Sequence, residues 1–199
     1  HVEHTRELPR LVWDTAMGIR RLRRRSTSAP ELARIFHPPR TFLNHVVSPG
    51  RTFASATLEL AAVKQLSKCL GVTINDIVLA TVTGAMRSLL LKYDGEASEP
   101  LLAGVPMAID TSPDRISGNA LGTIIVSLPV HIADPLEWVR VCRMGAEIGK
   151  ANTQLLGPDL ISRWAGYAPP RTTERLFRRV ACSESGNRLV NIPVSNVAG

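Results

Sequence analysis

Apolar positions along the chain fall into two rhythms, one with helical spacing and one of short strand-like runs, separated by glycine and proline. From Leu8 to about Arg25, the positions Leu8, Leu11, Val12, Thr15, Ile19 and Leu22 recur at helical spacing, which predicts an amphipathic helix ending in arginines. A cationic last turn suits the negative end of the helix dipole. Pro30, Pro38, Pro39, Pro49 and Gly50 break the next stretch, which reads as a linker with a short helix around residues 31–36. Residues 51–60 (RTFASATLEL) predict a strand, and residues 60–70 predict a helix that Gly71 stops. Between Ile74 and Tyr93 the only charges are Asp76, Arg87 and Lys92, so a long helix is expected there, buried on nearly every face.

The second half alternates similarly. Residues 101–109 form a short apolar run whose Pro106 cannot donate to a ladder, so an edge or a strand end is expected. Residues 121–130 (LGTIIVSLPV) predict a clearer strand. Asp134-Pro135-Leu136-Glu137 supplies an N-cap, a proline at the first helical position and a first-turn acid, starting a helix to about Ala151. Helical segments near residues 160–164 and 172–180 and a strand at 189–194 complete the order. The sum is an α/β protein with a mixed β-sheet packed with helices. No uninterrupted apolar run exceeds five residues, far below the roughly 18 of a membrane span, so no transmembrane helix is expected.

Composition narrows the classes. With 199 residues, 44% hydrophobic and 21% charged, the chain can bury a good-sized core. The net charge of +7 is concentrated at Arg20, Arg21, Arg23, Arg24 and Arg25 and again at Arg171, Arg175, Arg178 and Arg179. The first cluster has no interleaved aromatic platform, and no helix-turn-helix or RNP-like pattern accompanies it, which argues against nucleic acid. A solvated helix face or an anionic surface, such as ligand phosphates or acidic lipid headgroups, remains. Cys69, Cys142 and Cys182 are odd in number, far apart and without CxxC spacing. They read as small buried hydrophobes, and neither a disulfide framework nor a metal site is expected. The opening HVEHTRELPR has no apolar signal core, so the expected compartment is the cytoplasm.

The residues with the clearest chemical character lie in TINDIVLA. Thr73 to Asp76 fits the [ST]-x-x-[DE] pattern of a capping box, which accounts for Asp76. Asn75 has no part in that explanation. The five histidines (His1, His4, His37, His45, His131) are never adjacent, and neither His45 nor His131 has an acid at a partner spacing. Ser195 lacks the GxSxG elbow of a nucleophile.

PPRTFLN (38–44), RTFASATLEL (51–60), TINDIVLATVTGAMRSLL (73–90), GNALGTIIVSLPV (118–130), DPLEWV (134–139) and NIPVSNVAG (191–199) resemble, in order, the C-terminal part of the bacterial wax ester synthase/diacylglycerol acyltransferase family. The resemblance covers roughly residues 38–199. It implies one half of a CoA-dependent acyltransferase-like (chloramphenicol acetyltransferase-like) two-domain fold. Residues 1–37 are then a basic helix and linker, and residues 38–199 a C-terminal domain truncated after Gly199.

The implied activity is O-acylation by acyl-CoA of diacylglycerol or of a long-chain alcohol, giving triacylglycerol or wax esters, with acyl-CoA as a substrate and no cofactor. The family's catalytic histidine belongs to an HHxxxDG motif, and no HHxxxDG occurs here. The resemblance therefore places catalysis in an N-terminal domain outside this chain, so that the segment alone is expected to be inactive. The loop after the first strand, VPMAIDTSPD, also departs from the family's Arg-containing pattern. Asn75, Asp76, Ser195 and Asn196 are expected to line the substrate channel. Arg20, Arg21, Arg23, Arg24 and Arg25 are expected to meet CoA phosphates or an inner-membrane or lipid-droplet surface. A catalytically silent lipid- or protein-binding module of the same fold is the alternative.

Overall fold

The structure, a computed structural model, describes residues 2–25, 32–34, 37–44, 50–108, 121–157, 160–167, 171, 174–175, 178 and 190–196. Helix α1 (Val2–Arg25) is followed by a 3-10 turn (Phe42–Asn44), α2 (Leu60–Leu70) and α3 (Ile74–Tyr93). Strands β1 (Leu101–Ala108) and β2 (Leu121–Leu128), helices α4 (Pro135–Leu156) and α5 (Leu160–Tyr167) and the two-residue strand β3 (Ile192–Pro193) complete the order. Arg171, Glu174, Arg175 and Arg178, in the region of the expected helix 172–180, are helical too.

The sheet is mixed, in the order β2-β1-β3, with β1 antiparallel to β2 and parallel to β3. The register pairs Leu101 with Leu128, Ala103 with Val126 and Val105 with Ile124. Side chains alternate across a strand, so these six share one face. That face forms the core with Leu79 and Leu90 of α3 and Cys142 and Ala146 of α4. Helix α4 lies close on β2: a Cβ added at Gly145 would stand 3.4 Å from the Ser127 carbonyl oxygen, and one at Gly149 only 2.7 Å from that of Ile125. Helix α1 packs on the far end of α4, with Leu11 and Leu22 buried and Gly18 against Leu156.

Residues 60–70 and 74–93 are helices with the predicted bounds, and Asp134 caps α4 by accepting from the Leu136 N–H at 3.0 Å. Helix α4 runs five residues past the expected end, to Leu156 before Gly157.

Other expectations are corrected. Residues 51–59 form no strand: all nine are exposed, Phe53 to 89%, because neither edge of the described sheet lies beside them. Residues 32–34 are not helical, and the Ala33 N–H is given to Ser127 Oγ at 2.9 Å instead. Strand β1, expected at an edge, is central. Its parallel pairing with β3 covers only Ala103 and Gly104, so Pro106 lies beyond the last paired residue and faces solvent. The strand expected at 189–194 is reduced to Ile192–Pro193, with residue 189 outside the described residues.

Helix α3 is buried on one side only: Asp76, Ile77, Leu79, Ala80, Thr83 and Leu90 face inward. Its outer face carries the small side chains of Thr81, Ala85 and Ser88, with Leu91 and Tyr93 exposed in the last turn. By length and mean hydropathy this helix could cross a membrane, contrary to the sequence expectation. Its inward Leu79 and Leu90 belong to the core cluster with residues of β1, β2 and α4. Of the cysteines expected inside, Cys142 is buried and Cys69 exposed, because Cys69 falls on the open side of α2. Cys182 lies outside the described residues.

Candidate functional site

Gly71 ends α2 in the left-handed conformation (φ +63°), where its N–H and that of Val72 return to Lys68 and Ser67 carbonyls. The chain then turns straight into the start of α3. Thr73 is the N-cap: its Oγ1 accepts from the Asp76 N–H at 3.2 Å, while Asp76 Oδ2 accepts from the Thr73 N–H at 2.9 Å and from its hydroxyl at 2.8 Å. The predicted capping box is complete, and Asp76 is 4% exposed. Its carboxylate also faces the positive end of the helix dipole.

Asn75, one residue earlier in the same turn, is half-buried and makes no side-chain hydrogen bond with the described residues. Thr73 and Asp76 help to line a cavity of about 290 Å³ between the start of α3 and the middle of α4, with Gly71, Val72, Arg143, Ala146, Glu147 and Lys150. Arg143 donates from Nη1 to the Gly71 carbonyl at 2.8 Å and from Nε to Glu147 at 3.3 Å. The Lys150 ammonium has no ion-pair partner among the described residues. The cavity thus sets two cations, Arg143 and Lys150, against two carboxylates, Asp76 and Glu147, a formally balanced polar lining suited to holding a polar group.

Behind it, burial pushes the Cys142 thiol up to about 11, helped by the nearby Asp76 carboxylate and opposed by the Thr83 hydroxyl. A thiol so raised is un-ionised near neutrality and is no nucleophile. Among the described residues no group of three or more His, Cys, Asp and Glu could hold a metal ion.

Ser195 and Asn196 are exposed just past β3. A short backbone ladder holds that strand: the Val194 N–H donates to the Gly104 carbonyl at 2.9 Å, and the Asn191 N–H to that of Leu102 at 2.8 Å. Among the described residues no hydrogen bond joins Ser195 or Asn196 to Asn75 or Asp76; each pair sits on its own element. Arg20 and Arg21 are exposed on the last turns of α1, whereas the side chains of Arg23, Arg24 and Arg25 lie outside the described residues. His45 lies outside them too.

Sequence reasoning missed the residue that fixes this end of the chain. Asn191 accepts from the Leu102 N–H through Oδ1 at 2.9 Å and donates through Nδ2 to the Pro39 carbonyl at 2.8 Å and to Asn44 Oδ1 at 3.1 Å. Asp94 does similar service for the 3-10 turn, accepting from the Phe42 N–H. The one signal for Asn191 was its place at the head of NIPVSNVAG.

Two family models match the chain in order: the wax ester synthase/diacylglycerol acyltransferase catalytic domain over residues 1–78 and the C-terminal domain of the same family over residues 117–199. The chain belongs to this family. A protein of Mycobacterium tuberculosis strain H37Rv assigned by name to the diacylglycerol O-acyltransferases is 50% identical over 200 residues, covering 100% of this chain and 42% of that protein. The O-acyltransferase WSD of Acinetobacter baylyi is 32% identical over 172 residues, covering 85% of this chain and 36% of the other. Among solved structures, the wax ester synthase/diacylglycerol acyltransferase of Marinobacter aquaeolei VT8 shares the fold, with a TM-score of 0.56 at 21% identity over 81% of this chain and 35% of that one. The chain therefore spans less than half the length of these relatives. As a family member it has a mixed sheet packed with helices that corresponds to one part of a larger acyltransferase fold.

Proposed function

We propose that this chain is the C-terminal part of an acyl-CoA-dependent O-acyltransferase that esterifies diacylglycerol, and long-chain alcohols as well, in the cytoplasm at the surface of a membrane or lipid droplet. The observation that carries the proposal is the 50% identity to a diacylglycerol O-acyltransferase along the whole of this chain. In this reading a histidine of an HHxxxDG motif, in a part of the protein outside these residues, takes the proton of the acceptor hydroxyl as its oxygen attacks the thioester carbonyl. The collapsing intermediate releases the CoA thiolate, which recovers the proton.

The share of the work assigned to this chain is to complete the acyl and CoA channel. Asp76 is committed to holding the start of α3, which leaves the half-buried Asn75 amide available to a substrate headgroup. Ser195 and Asn196 line the far side of the channel, and Arg20 and Arg21 with the three following arginines meet CoA phosphates or anionic lipid.

The test is acyl transfer from labelled acyl-CoA to diacylglycerol and to hexadecanol by the full-length protein. Activity in the full-length protein, none in residues 1–199 alone, and lower turnover in Asn75→Ala with the melting temperature unchanged within a degree or two are the expected results. A parent gene without HHxxxDG, or a full-length protein that binds lipid without transferring acyl groups, would leave a silent binding module of this fold.

A further inference from the structure

Residues 51–59 (RTFASATLE) are the least accounted for in the molecule. All nine are exposed, and Thr52 to Leu58 make no hydrogen bond with the described residues through backbone or side chain. Solvated backbone is ordinary in a loop, but this composition is not that of a loop. Thr52, Phe53 and Thr57 are strand formers, and glycine, proline, asparagine and aspartate are all absent from the nine. Phe53 is 89% exposed and Leu58 68%. Five positions apart in an extended chain, the two point to opposite faces, as in a strand covered on both sides within a sheet. A run of unpaired N–H and C=O groups between such side chains is a template for strand addition.

The segment falls within the 1–78 match to the family's catalytic domain, whereas β1 and β2 flank or enter the C-terminal match. The chain spans only 42% of its mycobacterial relative. Helix α2, which follows directly, also leaves Leu60, Leu66 and Leu70 on its surface, so the open apolar area continues past the segment.

We propose that residues 51–59 are a β-strand of the catalytic domain's sheet, docking on an edge supplied by the portion of the same polypeptide outside this chain. The proposal rests on the reading above that such a portion exists. Its partner is thus a sheet edge in cis, recognised by main-chain hydrogen bonds, with Phe53 and Leu58 entering apolar pockets on opposite faces.

Hydrogen–deuterium exchange with peptide-level readout tests it. In the full-length protein the amides of residues 52–58 should exchange at least about a hundredfold more slowly than in residues 1–199 alone, where they are open. Ser55→Pro, which removes one N–H, should abolish that protection in the full-length protein and leave the melting temperature of residues 1–199 unchanged. Fast exchange in both proteins would overturn the proposal. So would protection in residues 1–199 alone that grows with concentration alongside a dimer, since the strand would then serve a second copy. Acyl transfer is read separately. An active protein with unprotected residues 52–58 defeats the strand and spares the function, while an inactive protein with protected residues does the reverse.

Discussion

Asn191 Nδ2 donates to Asn44 Oδ1 at 3.1 Å across 147 residues of sequence, and the same Asn191 amide holds the Pro39 carbonyl and the Leu102 N–H. One side chain, shortly before Ser195 in the sequence, therefore joins β1, the proline-rich segment and the 3-10 turn. It also joins residues inside the catalytic-domain match to residues inside the C-terminal match. Asn191→Ala leaves the Pro39 carbonyl and the Leu102 N–H without this partner, at an expected cost of about 2–3 kcal/mol. Asn191→Asp keeps the acceptor for Leu102 but turns an oxygen toward two others, and should be at least as damaging. Urea midpoints check both, and a loss under about 0.5 kcal/mol would mean that the three segments hold without it.

Contact between α4 and β2 depends on the absence of a Cβ. Gly149→Ala would place one 2.7 Å from the Ile125 carbonyl oxygen, a backbone atom that cannot swing aside. The helix must lift from the sheet, for an expected loss of about 1–3 kcal/mol. Gly71→Ala meets nothing within 4 Å and suffers only from its φ of +63°, so a smaller loss of about 1 kcal/mol is expected. Thermal melts that reversed this order would contradict the packing described for α4.

The capping box makes a coupled prediction. Thr73→Ala and Asp76→Ala each remove half of a reciprocal pair, so each should destabilise by about 1–2 kcal/mol. The double variant should lose clearly less than the sum, since the second deletion finds its partner already gone. Additive losses would show that Asp76 acts mainly through something other than Thr73.

How far these features could be read in advance depended on how local their causes are. The bounds of α2 and α3 and the cap of α4 were legible because Gly71, the Thr73–Asp76 box and Asp134-Pro135 act within one turn of themselves. The strand at 51–59 was not realised because pairing needs a partner, and no local pattern says whether the partner is in the chain. Pro106 misled for a related reason: it marks an edge, but only at its own position, where β3 has already ended. Asp76 was legible as a cap and Asn75 as the residue left over. The cavity beside them was not, since Arg143 and Lys150 reach it from α4, some 70 residues on.

Cys142 gives the clearest pH dependence. Its folded value of about 11 lies above the ordinary 9.0, chiefly because burial penalises the thiolate. A raised value favours the protonated thiol in the folded state, so the stability it contributes is fully present below pH 9 and is lost as the pH rises through 11. Above 9 the unfolded chain gives up the proton first, and the accumulated loss approaches about 3 kcal/mol once both states are ionised. Urea midpoints under reducing conditions should therefore fall between pH 9 and pH 11, and Cys142→Ala should flatten that fall while lowering stability near neutrality, where the lost packing dominates. Thiol labelling gives an independent reading: at pH 8 the exposed Cys69 should react rapidly and Cys142 only on unfolding. Fast labelling of Cys142 in the folded protein, or the same alkaline slope in Cys142→Ala, would place the ionising group elsewhere.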